Sequence, residues 1–271
     1  MRLKLLLALG CLLSILTATA HADTWRSFLD KDSADIDFAS VAFQISEEAA
    51  RILENRTSAT GRYLSLIQQM GDQFAERVSS DDTPEDQIRK LNDFFFKEHG
   101  FTADAQPDAD KLVENVLLDH VLDNKRGVCM SLSMIYMQIA QRAGIELSGV
   151  SVPLHFFLRY DGHEPFNIET LDAGRMDLTD DFYKEKYFVE DWEPFYMESL
   201  DHKKMLAVFA ANIASIMTQN GMPKEAVAWL LPLQEVLKED VEVKTNLGNA
   251  YLMTGDQNQA MQWWLKAVEH N

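Results

Sequence analysis

The 271-residue chain is strongly acidic, with a formal net charge of -18, so nucleic acid and anionic lipid surfaces are poor partners for it. Its hydrophobic fraction of 46% is enough to build one large core or two modest ones. Beyond residue 22 no uninterrupted apolar run approaches the about 18 residues a membrane-spanning helix needs.

Residues 1–22 read as a secretory signal peptide: Arg2 and Lys4 give a basic start, LLLALGCLLSILTATA an apolar centre, and Ala20-His21-Ala22 a small-residue cleavage site before Asp23. The expectation is a periplasmic or secreted protein. Cleavage removes Cys11 along with the two cations, which leaves Cys129 with no thiol to pair with. It is then either a small buried hydrophobe or a reactive thiol.

Four amphipathic helices are expected before that cysteine. DIDFASVAFQISEEAARIL places Phe38, Val41, Ala42 and Ile45 on one face, and GRYLSLIQQMGDQFAERV does the same with Leu64, Ile67 and Phe74. DDTPEDQIRKLNDFFFKEHG has Thr83 as N-cap, Pro84 at the first helical position, two acids in the first turn and an end at His99-Gly100. ADKLVENVLLDHVLDNKRG reads as one continuous helix with Leu112, Val113, Val116, Leu117, Val121 and Leu122 inward. A fifth helix opens at Cys129 and ends at Ala143-Gly144.

The period then changes from 3.6 to 2. ELSGVSVPLHFFLRY and DGHEPFNIETL read as two strands joined at Asp161-Gly162, and helices followed by strands point to an α+β domain. EDWEPFYMESL reads as a linker with a helical end. Past residue 200 the chain matches itself at an offset of 34: Asn212/Asn246, Gly221/Gly255, Ala226/Ala260, Trp229/Trp263, Leu231/Leu265 and Glu235/Glu269 are identical. That is the tetratricopeptide period, and two such units should lean on the first domain because about three are needed to stand alone. The expected division is a leader at 1–22, an α+β domain at 23–200 and an all-α repeat segment at 201–271. A repeat segment of this kind can dock a protein partner.

A thiol at a helix start is favoured as thiolate by unpaired backbone N–H groups, with Lys125 and Arg126 expected to help. A nucleophile also needs a base and an orienting group. His155 and Glu169 are the candidates, one on each strand of the hairpin. A three-residue loop would set them directly opposite, whereas a two-residue loop would set His155 opposite Ile168. No histidine and cysteine spacing suits zinc, and no Gly-rich phosphate loop or calcium loop is present, so no cofactor or metal is expected.

Cys129 opening a helix, with His155 and then an acid on strands that follow, resembles the transglutaminase-core superfamily of papain-like fold. The pieces LNDFFFKEHGF, LLDHVLDNKRGVCMSLSMIYMQIAQRAGIELSGVSVPLHFFLRY and NIETLDAG are similar to its SirB-type family. The resemblance implies a papain/transglutaminase-like domain acting on peptide or protein amides through Cys129, His155 and Glu169. Two features depart from the pattern. Many SirB-type relatives carry proline where Cys129 stands, and the superfamily usually has Asp where this chain has Glu169, which leaves Asn167 as a second candidate to orient the imidazole. A non-catalytic, partner-binding scaffold and a redox-regulated thiol are the rival readings.

Overall fold

The computed structural model describes residues 25–189 and 195–269. The signal-peptide reading lies outside the described residues. Asp37 caps the first helix, α1 (Phe38–Leu53), by accepting from the Ser40 N–H at 3.1 Å, and Phe38, Val41, Ala42 and Ile45 are all buried. Next come α2 (Thr60–Ala75) and α3 (Pro84–Asn92). At α3 Thr83 and Asp86 form a reciprocal capping box, and the chain runs on as wider π turns over Asp93–Glu98.

The single helix expected over residues 110–124 is broken. It forms two short pieces, α4 (Leu112–Val116) and α5 (Leu118–Asn124), hinged at Leu117, which is extended at ψ 124°. The backbone groups freed by the break find side-chain partners: Ser46 Oγ accepts from the Leu118 N–H at 2.9 Å, and Ser131 Oγ donates to the Asn115 carbonyl at 2.6 Å. Apolar periodicity continues through the hinge because Leu117 is itself fully buried. A short parallel pair, β1 (Thr102–Ala103) with β2 (Arg126–Gly127), then leads into α6 (Cys129–Arg142). Residues 130–140 of α6 are buried all round, so this is the central helix of the molecule.

The first expected strand is itself a hairpin. β3 (Ser148–Val152) and β4 (His155–Tyr160) are antiparallel, with Val152 paired to His155 across the two-residue turn Pro153-Leu154. Pro153 cannot donate to a ladder, and Leu154 takes φ 60°, so a continuous strand is impossible there. β5 (Phe166–Ile168) pairs with β4 in a register that sets Arg159 opposite Asn167 and Tyr160 opposite Phe166. The connecting loop is therefore 161–165, longer than either length expected, because Pro165 stays out of the ladder. α7 (Asp180–Tyr187) follows, capped by Thr179. The segment read as the helical end of a linker is instead turn and strand: β6 (Ser199–Leu200) pairs with the outer edge of β3, completing the order β5-β4-β3-β6.

Phe156, Leu158 and Ile168 of the sheet join the main core with α6, while Val150, Val152 and Phe157 pack on Tyr183 of α7 in a smaller cluster. The C-terminal segment is all helix: α8 (His202–Gln219), α9 (Pro223–Leu233), α10 (Val241–Thr254) and α11 (Gln257–Glu269). Repeat-related residues occupy equivalent places. Ala226 and Ala260 are fully buried, Trp229 and Trp263 nearly so, and Gly221 and Gly255 both take positive φ just after a helix end. Trp229 also packs against Trp25, with ring centroids 4.5 Å apart and planes tilted by 38°, and α8 packs against α1. No helix among the described residues is long and apolar enough to cross a membrane.

Candidate active site

Cys129 is half-buried at the first turn of α6, where backbone N–H groups have no acceptor within the helix. Thr170 Oγ1 donates to the Cys129 carbonyl at 3.4 Å and is itself hydrogen-bonded to Ser133 Oγ at 3.0 Å. This ties the start of α6 to the chain just beyond Glu169. His155 is the first residue of β4, and its imidazole lines the same two cavities as Cys129. Its Nε2 lies 2.7 Å from Glu169 Oε2.

The carboxylate is held from three sides. Besides His155, Glu169 accepts from the Leu171 N–H at 2.9 Å and from the Tyr183 hydroxyl at 3.0 Å. Burial alone would raise the Glu169 pKa, but these donors and the adjacent imidazole hold it below the usual carboxylate range. For His155, burial opposes the charged form, yet the neighbouring Cys129 and the hydrogen-bonded Glu169 push its pKa up to about 9. The ring is clamped as well: Tyr187 stacks on it at 4.8 Å with planes 7° apart.

Several expectations are corrected by this arrangement. His155 and Glu169 do share a face of the sheet, but neither expected register holds. Glu169 sits one residue past β5, bridged to Arg175, and its longer side chain covers the diagonal to His155. Asn167 does not touch the imidazole. Its Oδ1 accepts from Arg159 Nε at 2.9 Å, while its Nδ2 donates to the Leu178 carbonyl and to Asp180 Oδ1. Lys125 and Arg126 are committed elsewhere, the first over the Phe101 ring at 4.5 Å and the second to Asp104 at 2.8 Å. The basic group that shares its cavities with Cys129 and has a raised pKa is His155. Tyr183, Tyr187 and Thr170 went unread in the sequence, although Thr179 followed by Asp180 and Asp181 is a helix-start signature that could have revealed α7.

Two cavities flank the pair, and Cys129, Leu154 and His155 line both. One, of about 550 Å3, is walled by Glu169, Arg175 and Tyr187. The other, of about 440 Å3, lies between the pair and the C-terminal helices, with Asn212, Asn246 and Glu242 on its far wall. Leu154, 93% exposed at the tip of its turn, is the ridge between them.

The family model described as transglutaminase-like superfamily matches residues 61–209, which include all of α6 and the hairpin. A UPF0162 protein of Xylella fastidiosa is 21% identical over 250 residues, 88% of this chain and 85% of that relative. Protein SirB1 of Salmonella typhimurium is 33% identical over 124 residues, 43% of each chain. A UPF0162 protein of Buchnera aphidicola is 29% identical over 108 residues, 37% of this chain and 39% of that one. The last two alignments span about two fifths of the relatives' own length. With the family match covering more than half of its residues, the chain belongs to the transglutaminase-like superfamily and is a SirB-type member of it.

Proposed function

We propose that the protein is an exported cysteine hydrolase or acyl transferase acting on peptide or protein amides. The single observation that carries this reading is the placement of His155, which lines two cavities together with Cys129 and lies 2.7 Å from Glu169. In the first step the Cys129 proton resides on His155 and the sulfur attacks the amide carbonyl carbon. The C–N bond then breaks, the amine leaves with the imidazolium proton, and a thioester remains on Cys129. Water or a second amine, deprotonated by the now neutral imidazole, attacks the thioester and returns the thiol. The N–H groups at the first turn of α6 are suited to stabilise the oxyanion. Glu169, held by three donors, keeps the ring oriented.

An extended substrate fits the two cavities, because both open on the same three residues. Export rests on the pattern of residues 1–22, and cleavage after Ala22 should give a mature N-terminus at Asp23 by mass spectrometry. Chemistry is tested by iodoacetamide labelling of the folded protein at about pH 6, well below the free-thiol pKa of about 8.5. Labelling of Cys129 at least about tenfold faster than glutathione supports the nucleophile. Labelling only on unfolding overturns it and favours the partner-binding scaffold. That second reading is supported by Asn212 and Asn246, which stand one repeat apart and both line the cavity.

A further inference from the structure

We propose that Glu242, from the C-terminal helical segment, is a positioning residue for His155, acting through the turn that carries the imidazole. The inference deepens the cysteine-enzyme reading above and rests on it for its functional meaning. The Pro153-Leu154 turn joins β3 to β4, and its second residue is a leucine at φ 60°, a conformation that L side chains avoid. The side chain of Leu154 has no compensating burial, since it is 93% exposed. Its backbone N–H points away from the ladder and donates to Glu242 Oε1 at 2.9 Å, across 88 residues of sequence. A carboxylate acceptor is a strong partner for one backbone N–H. His155 is the next residue, so the orientation of this turn sets the direction in which β4 begins.

Glu242 is itself firmly placed. It lies in the first turn of α10, whose N-cap Asp240 is buried and accepts from the Glu242 N–H at 2.8 Å. The helix start is thus fixed, and the Glu242 side chain reaches across the mouth of the cavity that also contains Cys129 and His155. The helical segment consequently forms one wall of the site and also grips the loop on which the imidazole is mounted. The groups that face His155 are Cys129 from α6, Glu169 beyond β5, and Tyr183 and Tyr187 from α7; Asp240 and Glu242 stand across one cavity, and Asp172, Arg175 and Lys186 line the other. The largest influences on the His155 protonation are burial, Cys129 and Glu169, and the direct link from Glu242 to this turn is its bond to the Leu154 N–H.

The test compares Glu242→Ala with Glu242→Gln in the full chain. Gln retains an oxygen that accepts the Leu154 N–H but carries no charge; Ala retains neither. His155 is titrated by NMR and Cys129 is labelled with iodoacetamide. In Glu242→Ala the His155 midpoint should fall from about 9 toward the ordinary value of about 6.5, and labelling should slow about tenfold. In Glu242→Gln both should stay within about twofold of the parent. A purely structural contact would lower the melting temperature of Glu242→Ala and leave the His155 midpoint in place, which overturns the proposal. Equal loss in Glu242→Gln also overturns it, by making charge the cause. If the parent Cys129 resists iodoacetamide while the His155 midpoint still responds to Ala, positioning stands and the enzyme reading falls.

Discussion

The same face of β4 and β5 carries two polar groups four residues apart, and they differ in what surrounds them. At one end His155 and Glu169 have side chains only 4% and 7% exposed, roofed by Tyr183 and Tyr187. At the other end Arg159 meets Asn167 and Asp180, but Asp180 is 52% exposed and the loop around it is open. In the first pair His155 is raised to about 9 and Glu169 is lowered from its ordinary value. The second is a strut that ties the sheet to the start of α7. Strand parity alone placed both groups on that face; the aromatic roof is what makes one of them chemical.

Substitutions that unroof or unpair the buried end should cost most. Glu169→Ala leaves His155 buried without its carboxylate, and unfolding should be easier by about 3 to 5 kcal/mol, read by denaturant titration. Glu169→Gln preserves shape and should bring the His155 midpoint down with a smaller loss. His155→Ala should slow iodoacetamide labelling of Cys129 at about pH 6 by about a hundredfold, since it removes the base that shares the site with the sulfur. A labelling rate indifferent to His155 would erase the distinction between the two ends.

Stability should depend on pH in a direction set by the same pair. The folded pKa of His155 is raised to about 9, so its contribution is present in full below the unfolded value of about 6.5 and is lost as pH rises through 9. Glu169 is depressed, so its contribution is present above the unfolded value of about 4.3 and is lost as pH falls through its lower folded value. Asp240, pushed up to about 7 by burial and by the charge of Glu242, also titrates in this range but is ionised above about pH 8. The loss of melting temperature between about pH 8 and 9 should therefore belong to His155 and vanish in His155→Ala. The smallest effect is expected at the open end: Asp180→Asn should change stability by less than about 1 kcal/mol and leave the His155 midpoint unmoved.

Much of the site could be read from residue order because its determinants are local. The change from NKRG to an apolar run marks the α6 start at Cys129, and alternation along HFFLRY and FNIE puts His155 and Glu169 on one side. What escaped was set by contacts far apart in sequence or by single backbone angles. Pro153-Leu154 hides a turn inside an apolar stretch, and Leu117 hides a hinge inside an apolar helix. Asn167 and Glu169 are equivalent by parity, and only the register, fixed by the loop over 161–165, tells which one meets the imidazole. Lys125 and Arg126 lie beside Cys129 in sequence, yet Phe101 and Asp104 take them. Glu242 belongs to the repeat segment, where nothing in the 34-residue pattern announces a hydrogen bond to the hairpin.

The packing of Trp25 against Trp229 has a consequence for the order in which the chain can mature. Arg26 reinforces that contact by donating to the Ala228 carbonyl at 3.1 Å, spanning 202 residues. A ribosome releases the first of these partners long before the second exists, so the turn at Trp25–Asp30 waits for its seat while α1 to α8 are synthesised. Closure of so long a loop comes late in folding. A nascent chain arrested before residue 229 should thus expose Trp25 to solvent, and its fluorescence should shift to the blue only once α9 has emerged.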